Sequence, residues 1–287
     1  MKIDKVLLVY NKPRYQLHVL EKRDPFYIKL LKQKHQSAAM WKPIYEAHQA
    51  SLESAYRTLE LLGLEVQSSY RKDLKKCPKV DLIVTIGGDG TFLETSHLVE
   101  QSVLLGLNAA PNDSTGALCR ATKETFLSVL VDLMTDQLKA KKIPRLKIKL
   151  GKKILPYKIL NEVLFANTSP GGTSRYQIQI GKEKEEHKSS GLWVATGTGS
   201  TAAISSAGGK KRPVDDPNFQ YLVREPLEIK KNQFKLKKGL LNKKQKLILV
   251  PTMRQSALYM DGNYEVPVPY GERVEISNTG KSLKAIL

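Results

Sequence analysis

The sequence predicts an α/β protein in two parts: a Rossmann-like N-terminal α/β domain, then a β-rich, β-sandwich-like C-terminal domain. Three observations carry this. Up to Pro144, short apolar runs alternate with segments of helical periodicity, the rhythm of βαβ units on a parallel sheet. One of those runs, VDLIVTI at Val80–Ile86, is almost continuously apolar, as a strand covered on both faces must be. From Arg145 onward, apolar and polar residues alternate with period two, which marks half-buried antiparallel strands. The boundary therefore falls near Pro144, dividing the chain into 1–143 and 144–267, with a tail of about 268–287 that is expected to pack back on the first domain.

Each element follows from local pattern. KVLLVY (Lys5–Tyr10) has strand length. Between Ile44 and Gly63, the residues Leu52, Ala55, Leu59 and Leu62 recur at helical spacing, and Gly63 stands where a glycine closes a helix. LEVQS gives a second strand and Val80–Ile86 a third. A helix opens at Thr91, and VLLGLN (Val103–Asn108) is the next strand. Phe126, Leu130 and Leu133 share one face of another helix. The charged stretch Lys22–Met40 has no clear pattern. Beyond Pro144, the strands are RLKIKL, YKILNEVLFAN, RYQIQIG, GLWVATG, QKLILVP and RVEIS, joined by Gly, Pro and Lys turns.

Composition narrows the function classes. A chain of 287 residues with 41% apolar content can bury a real core. No run approaches the roughly 18 apolar residues of a membrane span. The apolar run near the N-terminus is too short for a signal peptide, and no amphipathic, Arg-rich transit segment opens the chain. Cys77 and Cys119 are far apart without CxxC spacing, so neither a zinc site nor a disulfide scaffold is expected, and a reduced, cytoplasmic setting fits. Lys and Arg number 47 against 28 Asp and Glu, a net charge of +19 that suits polyanionic partners. Eight lysines fall between Lys230 and Lys246. Without interleaved aromatics to stack bases, they read as a solvated face rather than a nucleic-acid patch.

Three stretches could carry chemistry. VTIGGDGTFLETS runs from a buried strand through Gly87, Gly88, Asp89 and Gly90 into a helix at Thr91. Ligands of open α/β sheets bind at that edge, glycines admit a phosphate, and a helix N-terminus offers free N–H groups. On these residues alone, Asp89 is either the acid of a tight turn or a carboxylate poised to take a hydroxyl proton. The loop TGTGSTA, with Thr198, Ser200, Thr201 and Ala202, sets hydroxyls and amides close together and suits a nucleotide better than a linker would. Asn161-Glu162 falls in an apolar run, where a carboxylate needs a partner, either a ligand or a lysine. MDGNYE (Met260–Glu265) reads as a structural hairpin turn. The five histidines have no metal-ligand spacing.

In the order GGDGT, NE, TGTGSTA and DG, the chain resembles the NAD kinase family, from Lys5 to about Gly262. The resemblance implies an NAD kinase-like fold with the active site between its two domains. It also implies ATP-dependent phosphorylation of the adenosine-ribose 2′-hydroxyl of NAD or NADH, with a divalent cation such as Mg²⁺. Asp89 is then the catalytic carboxylate. Gly87, Gly88, Gly90, Thr91 and Lys188 hold phosphates, while Asn161, Glu162, Thr198, Ser200, Thr201, Ala202 and Ser190 hold the dinucleotide. No protein metal ligand is implied.

Several departures resemble the divergent, mitochondrial-type branch, in a bacterial member. Ser190-Gly191-Leu192 replaces Asp-Gly-Leu, Gly197 and Ala203 replace a Pro and a Tyr, and NDSTGALC replaces GxLGFL. That branch implies a homodimer. Two alternatives remain: a lipid kinase of the diacylglycerol or sphingosine type, which shares GGDG, and a catalytically weak dinucleotide- or nucleic-acid-binding module.

Overall fold

The computed structural model describes residues 1–227 and 234–287. Lys230 and Lys231 of the lysine-rich run lie outside the described residues. The chain divides into two compact units, Met1–Lys141 with Lys284–Leu287, and Lys142–Leu283.

The first unit opens with β1 (Lys5–Tyr10). Within the stretch that lacked a sequence pattern lies α1 (Pro25–Lys32), started by Asp24, whose carboxylate accepts the Phe26 N–H at 3.0 Å, and by a proline in the first turn. The long α2 (Trp41–Leu61) ends where expected. Gly63 takes φ 68°, and the Leu64 N–H reaches back to the Leu59 carbonyl at 3.1 Å. Then come β2 (Glu65–Tyr70), β3 (Leu82–Gly87), α3 (Asp89–Ser96), β4 (Val103–Asn108), α4 (Phe126–Met134) and β5 (Lys141–Ile143).

Strands β2, β1, β3 and β4 are parallel neighbours in that order. All six residues of β3 are buried, as its continuous apolar run requires. Val84, Ile86, Leu105 and Leu107 form the core with Ala55 and Leu59 of α2 and Phe126, Leu130 and Leu133 of α4. The turn from β3 into α3 thereby lies at the C-terminal edge of a parallel sheet.

The second unit is a sandwich of two antiparallel sheets. Its strands are β6 (Leu146–Leu150), β7 (Lys153–Ile154), β8 (Glu162–Asn167), β9 (Ser174–Ile180), β10 (Glu183–Ser189) and β11 (Leu192–Ala195), then the short α5 (Ala203–Ser206). After it come β12 (Phe219–Val223), β13 (Lys238–Leu241), β14 (Lys246–Pro251), β15 (Ser256–Met260), β16 (Tyr264–Pro267) and β17 (Val274–Asn278). One sheet runs β10-β9-β14-β17-β6-β7 and the other β13-β12-β11-β8-β15-β16. Inward-facing Ile148, Ile178, Leu249 and Ile276 of the first meet Phe165, Val194, Tyr221 and Leu258 of the second.

Two expectations change. The tail does not return as a whole: β17 pairs with β6 and β14 and puts Val274 and Ile276 into the sandwich core, so the second unit continues to Leu283. What returns is β18 (Leu283–Ile286), which extends the first sheet parallel to β4. The YKILNEVLFAN run is not strand throughout either. Strand β8 starts at Glu162, because the N–H groups of Leu160, Asn161 and Glu162 all turn to the side chain of Asp261.

Candidate active site

In the first unit, Gly87 ends β3, Gly88 caps α3 and Asp89 is its first residue. Gly87 has φ 154°, and a Cβ there would collide with the Thr91 hydroxyl. A Cβ on Gly88 would lie 2.6 Å from Ser114 Oγ. The turn is thus closed to side chains but open to a ligand. Gly87 and Gly88 border a cavity of about 490 Å³, shared with Asn11, Lys12, Arg14, Arg71, Asn108 and Ser114 among others. Gly90 sits beside the Arg71 guanidinium, and Thr91 is buried beneath the turn.

Surrounding groups fix this turn. The Ile86 carbonyl accepts the Asn11 N–H at 3.1 Å and lies 3.3 Å from Nε2 of His48, on α2. Burial lowers the pKa of His48 and favours the neutral imidazole. Ser51 donates to the Ala109 carbonyl at 3.1 Å, and Asn108 Nδ2 donates to the Ser114 carbonyl at 3.0 Å. The half-buried Asp89 accepts the N–H groups of Ala117 at 3.1 Å and Leu118 at 2.8 Å, one on each oxygen. These bonds come from a segment 28 and 29 residues further along the chain rather than from the turn's own N–H groups, and each oxygen keeps a free lone pair for a hydroxyl. Burial, then the charge of Asp89, pushes the nearby Cys119 thiol up to about 12, so it stays protonated at neutral pH.

In the second unit, Asp261 organises the site. It is 4% exposed, has φ 46°, and accepts from Leu160 N at 2.9 Å, Asn161 N at 2.8 Å and Glu162 N at 3.1 Å. The hairpin expected at Met260–Glu265 exists as β15 and β16, but its acid clamps the neighbouring strand. Thr196 supplies the other support. Its hydroxyl donates to the Leu160 carbonyl at 2.5 Å, and its N–H donates to the Asn161 carbonyl at 3.0 Å. With the backbone held this way, Asn161 Oδ1 and Glu162 Oε2 are buried without a hydrogen-bond partner. Burial, then the Asp261 charge, pushes Glu162 up to about 7. Among the described residues, no lysine forms an ion pair with it.

The hydroxyl-rich loop divides in two. Thr198 and Ser200 are buried, and their hydroxyls donate to the carbonyls of Val214 at 3.4 Å and Gly197 at 2.6 Å. Thr201 is exposed and Ala202 half-exposed at the loop's outer face. The loop packs closely on Asn161, since a Cβ on Gly199 would strike the Asn161 backbone.

Ser190 is half-buried with its N–H on the Arg224 carbonyl at 3.0 Å. Lys188 is exposed at a different cavity, of about 410 Å³, bordered by Arg175, His187, Leu227 and Phe234 and not by Asn161 or Glu162. Sequence patterns missed Asp261, Thr196, Arg71 and Asn108 as site residues. Of these, Asp261 had a signal, an Asp-Gly pair closing a strand, which is also what any hairpin shows.

Comparisons with known proteins bear on the family and the fold. Residues 17–138 match the family model described as the ATP-NAD kinase N-terminal domain. A probable NADH kinase of Oryza sativa subsp. japonica is 31% identical over 264 residues, covering 84% of this chain and 81% of the relative. An NAD kinase of Methanopyrus kandleri is 31% identical over 213 residues, covering 73% and 67%. Among solved structures, an NAD kinase from Archaeoglobus fulgidus in complex with ATP superimposes with TM-score 0.66 at 19% identity, covering 98% of this chain and 93% of that one. Yeast NADH kinase complexed with NADH gives TM-score 0.69 at 17% identity, covering 100% and 84%.

Proposed function

Because this chain belongs to the NAD kinase family, we propose that it phosphorylates the adenosine-ribose 2′-hydroxyl of NAD or NADH at the expense of ATP. Asn161 and Glu162 carry the reading: two buried, partnerless acceptors on a clamped backbone match the two hydroxyls of a ribose. Thr201 and Ala202 flank the adenosine, Thr198 and Ser200 shape the loop behind it, and Ser190 meets the rest of the dinucleotide. Gly87, Gly88, Gly90 and Thr91 receive the donor phosphates at the N-terminus of α3.

Chemically, Asp89 accepts the 2′-hydroxyl proton while that oxygen bonds to the γ-phosphorus and the bond to the β-phosphate oxygen breaks, releasing ADP. The amides of Ala117 and Leu118 hold the carboxylate in one orientation for this. Among the described residues, no three ligating side chains gather to cage a metal. Mg²⁺ would be held largely by substrate phosphates and water, with one oxygen of Asp89 available to it. The ion would neutralise charge on the triphosphate.

No helix among the described residues is long and apolar enough to cross a membrane. A cytoplasmic homodimer is the proposed assembly, and sedimentation of the purified chain tests it. The lipid-kinase and nucleic-acid alternatives find no support among the relatives matched. Purified protein with ATP and Mg²⁺ should convert NAD or NADH to the phosphorylated dinucleotide in a coupled dehydrogenase assay. No product from either substrate refutes the reading.

A further inference from the structure

Helix α2 buries two polar side chains among apolar ones. His48 is 3% exposed and Ser51 1%, on the face that also buries Trp41, Ala55 and Leu59. Packing alone does not call for them, because Leu and Ala would fill such positions without polar atoms to satisfy. His48 even keeps Nδ1 buried without a hydrogen-bond partner. What its ring gains is one contact, Nε2 at 3.3 Å from the Ile86 carbonyl. A carbonyl only accepts, so Nε2 carries the hydrogen.

The two side chains reach the ends of adjacent strands. Ile86 is the penultimate residue of β3, and Ser51 donates at 3.1 Å to the carbonyl of Ala109, the first residue after β4. From these two points start the two backbone segments that meet at Asp89. One is the turn from Gly87 to Asp89 itself. The other is the loop that carries the Ala117 and Leu118 N–H groups, each bonded to one oxygen of Asp89. The starting points are also tied to each other, since the Ala109 N–H donates to the Gly87 carbonyl at 3.1 Å. Losing either side-chain contact therefore frees the angle at which the amides meet the carboxylate.

We propose that His48 and Ser51 are positioning residues for Asp89: they hold the turn and the amide-bearing loop in one register and so aim the carboxylate. Each acts through a backbone carbonyl, and neither is a catalytic group. The inference rests on the reading that Asp89 takes the 2′-hydroxyl proton, a transfer in which a misplacement of about 1 Å can cost about a hundredfold.

His48→Leu should lower kcat about tenfold to a hundredfold and leave KM for NAD within about twofold. His48→Gln, whose side-chain amide can donate to the same carbonyl, should recover most of that loss. Ser51→Ala should move kcat in the same direction by a smaller factor. The deciding comparison is a double-mutant cycle. Once Asp89→Asn has removed the group being aimed, adding His48→Leu should change the residual kcat by less than about twofold. Losses that multiply in the double variant, or wild-type kcat in His48→Leu, overturn the proposal. A second measurement needs no turnover. Cys119 lies 4.0 Å from the Gly87 carbonyl. In a Cys77→Ser background, its labelling by an aromatic disulfide should run about tenfold faster with His48→Leu, as the turn loosens. An unchanged labelling rate also overturns the proposal. Faster labelling in a protein that phosphorylates neither NAD nor NADH would refute the function while supporting this geometry.

Discussion

Glu162 makes a quantitative prediction. Burial, with Asp261 nearby, raises its pKa from 4.5 to about 7. That rise corresponds to about 3 kcal/mol of preference for the protonated form in the folded state. Between those two values the native state binds the proton that the unfolded chain has released, so stability falls as pH rises. The contribution is fully present below pH 4.5 and is lost as pH passes through about 7. Glu162→Gln removes the titration while keeping the shape. Urea denaturation of wild type and variant across this range should show their difference moving by about 3 kcal/mol in the variant's favour from acid to pH 8. Any constant offset from burying an amide drops out of that comparison. At the same time the variant should bind NAD some ten- to a hundredfold more weakly, having lost a charged acceptor for ribose hydroxyls. A stability difference that stays flat with pH refutes the burial of an uncompensated carboxylate at this position.

Other substitutions test the remaining parts. Asp261→Asn keeps a residue that tolerates positive φ but weakens acceptance of three N–H groups, and should lower unfolding free energy by about 2–3 kcal/mol in chemical denaturation. A variant as stable as wild type would show that the clamp is unimportant. Asp89→Asn should lose at least about a hundredfold in kcat while dinucleotide affinity, measured by calorimetry, stays within about twofold. Wild-type turnover in that variant would reduce Asp89 to the acid of a turn. Gly88→Ala, whose Cβ would crowd Ser114 and project at the cavity, should raise KM for ATP about tenfold with stability changed by less than about 1 kcal/mol.

The fold was legible wherever one strand or helix decided its own pattern. The burial of β3 on both faces, the Gly63 cap and the change of period after Pro144 are properties of contiguous residues, and each left a mark in the sequence. What remained hidden depends on residues distant in the chain. Asp261 reaches the backbone of Leu160 to Glu162 across about a hundred positions, and it moved the start of β8 away from where the apolar run suggested. The placement of β17 was hidden for the same reason, because alternation marks it as a strand but not which sheet it joins. Helix α1 is a different case. Asp24-Pro25 was a readable start signal, obscured because the helix it opens is short and has no fully buried residue.

The hydroxyls of the TGTGSTA loop explain why a carboxylate can stay buried and unsatisfied next to it. Left alone, Glu162 would relieve its desolvation by a small backbone shift toward solvent or toward one of the many lysines. Thr196 and Asp261 prevent that shift by holding both the carbonyl and the N–H sides of residues 160–162, and Gly199 lets the loop lie directly on Asn161. Thr198 in turn fastens the loop to the Val214 carbonyl and Ser200 to that of Gly197. The polar groups that stand out in the sequence as ligand contacts are therefore partly scaffolding, and their rigidity keeps the destabilised acceptors in place. A ribose diol that donates to those acceptors would favour the ionised carboxylate, so dinucleotide affinity should strengthen as pH rises through about 7. Calorimetric titration in buffers of different ionisation enthalpy should detect the proton released on binding near neutral pH. Binding with no proton released would place the diol elsewhere.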